Sequence, residues 1–143
     1  MNDNQPRDSH YLDFFECFGR QQFFEAHEVL EPLWLAQRQG PDGSFYKGLI
    51  QLAGAFVHWQ KRRPGPAVAL FRLAQVNLRK HPSIHKGLNV TGVLAMIDDW
   101  LRQLRTTAPG ACPPMPTGAF ELRLETPPHA RDDATGTYPP RTA

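Results

Sequence analysis

The chain has 143 residues, 41% of them hydrophobic, and a formal net charge of +2. That length fits one domain with a sizeable buried core. No apolar run approaches the ~20 residues of a membrane span, and Met1–Pro6 lacks the layout of a secretory signal, so a cytoplasmic protein with no membrane partner is expected. Only Cys17 and Cys112 are present, which is neither a disulfide framework nor a metal motif.

The charge is uneven. Residues 1–60 carry four basic and eight acidic side chains, and residues 61–105 carry nine basic and two acidic. The preferred reading is two halves of one bundle that attract each other. The alternative is nucleic-acid binding by residues 61–105, disfavoured because the tract lacks the interleaved aromatics that stack on bases.

In chain order, residues 1–7 read as a disordered end. Asp8 or Ser9 caps a first helix to about Phe18, with Leu12, Phe15 and Phe18 on its buried side. A second helix spans about Arg20–Gln39. Helical spacing puts Phe23, Ala26, Leu30, Leu33 and Trp34 on one stripe, with His27 at its edge and Glu31 one turn further on. Glu28 points further out and Glu25 nearly opposite. Pro32 lies inside this helix and removes one amide donor, so a kink is expected.

Gly40-Pro41-Asp42-Gly43 reads as a turn and Ser44 as the cap of a third helix, Phe45–Lys61. Its stripe is Phe45, Leu49, Leu52, Phe56 and Trp59. Gly48 and Gly54 allow a neighbouring helix close approach, and Gln51 and His58 share a second face. Arg62-Arg63-Pro64-Gly65 breaks the chain before a fourth helix, Pro66–His81, buried through Ala67, Leu70, Phe71, Ala74 and Leu78, with Leu73 at the flank. His81 and His85 make a metal pair by composition only, because Pro82 separates them and puts them in a loop. Asn89 caps a fifth helix, Val90–Arg105, with Val90, Val93, Leu94, Ile97, Leu101 and Leu104 inward and Trp100 flanking. Eight of the 14 prolines follow residue 106. The chain therefore reads as an all-α five-helix bundle over 8–106 and a proline-rich tail over 107–143. Alternation around Phe120, Leu122 and Leu124 predicts a short extended segment at 119–125.

Phe23-Phe24-Glu25-Ala26-His27-Glu28-Val29-Leu30-Glu31, followed by Trp34, resembles the motif of the domain-of-unknown-function 309 family. Gly48–Ala53, His58 and Gly87–Val90 follow the same pattern, so the resemblance is expected over about residues 11–105. It departs at Gly19-Arg20-Gln21, where the family has an Asn-x-Gly turn, and at Arg63–Ala67, where it has an Asn. The resemblance implies a small helical bundle and carries no assigned activity.

The candidate site is accordingly Glu25, His27, Glu28, Glu31, Trp34, Gln51 and His58. Its first reading is a buried polar network with His27 and Glu31 within reach of one another, beside a pocket for a small polar ligand. Its second is a divalent metal held by His27, Glu31 and His58, with Glu28 as a further donor, in a hydrolytic or redox protein. A paired carboxylate motif of the di-iron kind is absent. No serine or cysteine has a partner base in the sequence, and no phosphate-binding glycine loop occurs. The reaction, the ligand and the oligomeric state are left open.

Overall fold

The computed structural model describes residues 8–105, 111–116 and Leu124. The described residues form five helices and a minimal hairpin: α1 Ser9–Gly19, α2 Phe23–Gln37, α3 Gly43–Gln60, α4 Pro64–Leu78, β1 Ile84–His85, β2 Leu88–Asn89 and α5 Val90–Arg105. The expected all-α bundle is what forms. The disorder expected at 1–7 and most of the expected tail lie outside the described residues. So does the expected segment at 119–125, except for Leu124, which bridges antiparallel to Leu88.

Asp8 caps α1, its carboxylate accepting from the His10 amide at 2.7 Å. The buried side is Tyr11, Phe14 and Phe18, and Leu12 is 45% exposed. The core takes the stripe one residue earlier than expected because the Tyr11 hydroxyl finds an acceptor, the Lys86 carbonyl at 2.9 Å, and a phenol so partnered can be buried.

Between α1 and α2 the chain makes a left-handed turn at Gln21, φ 61°. The Gln22 amide bonds back to the Cys17 carbonyl at 2.9 Å, closing the first helix. A left-handed residue cannot continue a helix, so α2 starts at Phe23 rather than Arg20. It then runs unbroken through Pro32.

Helix α3 is the axis of the bundle. It packs on α2 and α4, and Phe45, Leu49, Leu52, Phe56 and Trp59 are buried as expected, joined by Tyr46, Ile50, Ala53 and Ala55. Phe23 of α2 stacks on Phe56 at 4.8 Å. On the other side a methyl group at Gly48 would sit 3.0 Å from Leu78 Cγ, and one at Gly54 3.2 Å from Leu70 Cδ1. Both glycines therefore let α4 approach.

Arg62, at φ 61°, ends α3, and Pro64 opens α4 two residues before the expected start. The α4 stripe of Ala67, Phe71, Ala74 and Leu78 is buried. The loop expected around His85 contains the hairpin, whose turn residues Lys86 and Gly87 have φ 49° and 80°, the conformation that matches strand twist. Asn89 caps α5 through the Gly92 amide at 2.9 Å. Trp100 is buried rather than flanking, edge-on to Phe56 at 4.7 Å. Part of the tail docks as well: the Trp59 indole donates to the Pro113 carbonyl at 2.9 Å.

A histidine–aspartate corner as the candidate functional site

The residues singled out on α2 spread over different environments. Glu25 and Glu28 are exposed, and His27 and Glu31 are half-buried. Among the described residues no hydrogen bond or ion pair joins His27 to Glu25, Glu28 or Glu31. The Nδ1 atoms of His27 and His58 are each buried without a partner. Gln51 faces α4 instead, its carbonyl accepting from Asn77 Nδ2 at 2.7 Å. Trp34 is capped by Lys47, whose Nζ lies 4.3 Å from the ring centre, and by Arg38 at 5.8 Å.

A tighter cluster forms at the other end of α3. Asp42 sits in the turn that opens α3, Ser44 in its first turn, His81 just past α4 and His85 in β1. His85 Nε2 donates to Asp42 Oδ1 at 2.7 Å. The Ser44 hydroxyl and His81 Nε2 share a hydrogen bond of 2.7 Å. The two imidazoles lie 4.9 Å apart, and Phe45 packs edge-on under both, at 5.5 and 4.8 Å. Lys86 Nζ stands 3.7 Å from Asp42 Oδ2. Among the described residues, Asp42, His81 and His85 alone bring three metal-ligand atoms together, all within 4.8 Å of one another.

Burial shapes the electrostatics of this corner. Burial, then the neighbouring His85, hold the His81 imidazole below its ordinary range, against the opposing pull of Asp42. The ring is therefore neutral near pH 7 with a lone pair to offer. Burial, then Asp42 and Asp8, push the Tyr46 phenol up to about 12. By contrast Cys17, raised by burial and by Asp13, Glu16 and Glu25, is a poor nucleophile.

The sequence presented each of these residues in another role. Asp42 reads as a turn residue; it stands at the N-cap of α3, and its side chain makes no cap hydrogen bond. Ser44 was expected to cap α3; its hydroxyl goes to His81 instead, so the expectation that no serine has a partner base is corrected. The pair His81 and His85 is expected in a loop because Pro82 between them argues against a shared helical face. That holds, but the hairpin folds His85 back against the end of α4. The available signal was an aspartate and a serine in one helix-opening turn together with two histidines four apart.

A search of curated proteins returns no match. Residues 11–70 match the family described as Domain of unknown function (DUF309). That segment runs from α1 into α4 and contains Asp42 and Ser44 but not His81, His85 or the Gly87–Val90 part of the expected resemblance. Over this stretch, which carries the Phe23–Trp34 helix, the chain is similar to the DUF309 family.

Proposed function

We propose that this protein binds one divalent transition-metal ion at the Asp42–His81–His85 corner. The carrying observation is that three potential ligand atoms from three separate elements lie within 4.8 Å of one another. Adjacent donors around a four-coordinate zinc stand about 3.3 Å apart, as bond lengths of ~2.0–2.1 Å require. The donor atoms have to draw together by up to about 1.5 Å to reach that spacing. One carboxylate and two imidazoles suit zinc, cobalt, nickel or iron and not calcium or magnesium, which prefer all-oxygen sets.

The ion takes the place of the proton that His85 now shares with Asp42. Ser44 holds the His81 ring through its hydroxyl, the outer-partner role that fixes ligand histidines. Lys86 opposes binding as a competing cation on Asp42 Oδ2. Three protein donors leave coordination positions for water, as a hydrolytic site requires. The free thiols of Cys17 and Cys112 fit a cytoplasmic setting for this protein.

The test is a cobalt(II) titration followed by visible absorption. A saturating spectrum at one equivalent is expected, with binding lost in His85→Ala and weakened about tenfold in Ser44→Ala. A spectrum unchanged by His85→Ala would refute the assignment.

The unpartnered Nδ1 atoms of His27 and His58 support a second, narrower reading. Each is a place for a hydrogen bond from water or a small polar molecule, with Glu31 and Trp34 of α2 flanking His27. If His27 is so bonded, His27→Leu loses ~1–3 kcal/mol of stability. A melt that rises on this substitution would remove the reading.

A further inference from the structure

From residue 61 to residue 97 the chain carries seven Lys and Arg residues and no acidic one. Only Lys86 among them has a carboxylate within ion-pair distance in the described residues. The attraction between acidic and basic halves expected from the sequence therefore takes no direct contact there beyond Asp42 with Lys86 and His85. The remaining cations are exposed, with Lys80 donating to Asn77 Oδ1 at 3.2 Å and Arg62 to the Cys112 carbonyl at 3.4 Å.

Helix α4, with Arg79 and Lys80 in the turn that continues it, arranges some of them in a particular way. Ala69, Arg72, Leu73, Val76, Arg79 and Lys80 are all exposed. At ~100° per residue they fall within an arc of ~120° opposite the buried stripe. Val76 and Ala69 lie along its centre, Lys80 and Leu73 on one side, Arg72 and Arg79 on the other. Leu73 and Val76 are 49% and 55% exposed. The nearest acids on α5 are already engaged: Asp98 accepts from Gln75 at 2.6 Å and Asp99 pairs with Arg102 at 2.9 Å.

We infer that this outer face of α4 docks on an anionic lipid surface. Aliphatic side chains at the centre and one edge, Val76, Ala69 and Leu73, with long cationic side chains among and beside them suit a helix lying in the membrane interface, where the apolar groups enter the headgroup boundary and the cations meet lipid phosphate. The expectation of no membrane partner rested on the lack of a spanning segment, and a surface helix needs none. A second copy of the chain is the wrong occupant, because a two-fold contact would press Arg72, Arg79 and Lys80 onto themselves. Nucleic acid fits less well, because bare aliphatics occupy the centre and no aromatic is exposed on this face to stack on bases.

The experiment is co-sedimentation of the full chain with vesicles of equal parts phosphatidylglycerol and phosphatidylcholine, beside vesicles of phosphatidylcholine alone. Binding is expected to the first and not the second, weakening as salt is raised. Arg72→Glu with Arg79→Glu should reduce it by more than about tenfold, given the usual contribution of a cation near such a surface. Leu73→Ser with Val76→Ser should also reduce it, a loss that counter-ion adsorption would not give. Arg102→Glu with Arg105→Glu makes the same charge change on α5 and should retain binding. All these positions are exposed, and circular dichroism verifies each fold. No partition into anionic vesicles would overturn the inference, and so would equal losses from the α4 and α5 pairs. Insensitivity to the aliphatic pair, with displacement by duplex DNA, would reassign the face to nucleic acid.

Discussion

Individual side chains decide most at the corner, and they were the least legible in the sequence. The histidines lie in a short, irregular stretch, and nothing local announces that His85 meets Asp42 across a separation of 43 residues. Lys86 supplies a direct test of the electrostatic account. Asn tolerates its positive φ, so Lys86→Asn removes the competing charge without disturbing the turn. Cobalt affinity should rise several-fold, since a like charge at this distance opposes the ion; unchanged affinity would show that Lys86 does not oppose the ion. Tyr46 gives a second test. Its pKa is raised from 10.0 to about 12, so the folded state favours the neutral phenol. The stability this contributes is complete below pH 10 and drains away as pH climbs toward 12. Denaturant melts across that window should show the fall, and Tyr46→Phe should flatten it.

At the scale of elements, the amphipathic periodicity of α3, α4 and α5 was readable because each buries a stripe repeated over four turns or more. The short α1 was harder, since Tyr11–Phe14–Phe18 and Leu12–Phe15–Phe18 are equally periodic and only a distant carbonyl chooses between them. Helix ends failed for a related reason. Gln21 and Arg62 adopt left-handed turns that glycine usually provides, and nothing local announces them. The close passage of α4 over α3 was legible from Gly48. Gly48→Ala should cost about 1–3 kcal/mol, because the new methyl meets Leu78 Cγ and Asn77 Cβ rather than a mobile side-chain end. Thermal unfolding measures this, and a neutral result would mean that the α3–α4 spacing relaxes freely. Asn89→Ala should cost ~1 kcal/mol through the lost cap on α5.

Over the whole molecule, the two ends of α3 have different characters. Around Phe56 and Trp59 the axis is sealed by aromatic contacts with α1, α2, α4 and α5. At Asp42 and Ser44 it opens among polar side chains delivered by α4 and the hairpin. The sequence directs attention to the run of carboxylates on α2, where no hydrogen bond or ion pair joins His27 to Glu25, Glu28 or Glu31 among the described residues. The histidine–aspartate cluster arises where chain segments separated by about forty residues meet, and such convergence has no local periodicity to reveal it. The central claim is that this meeting point, and not α2, holds an ion. Elemental analysis after dialysis against zinc tests it, on the parent chain beside His85→Ala and His27→Ala. The account expects close to one equivalent of zinc in the parent and in His27→Ala, and little in His85→Ala. Zinc lost from His27→Ala and kept by His85→Ala, or absent from all three, would contradict it.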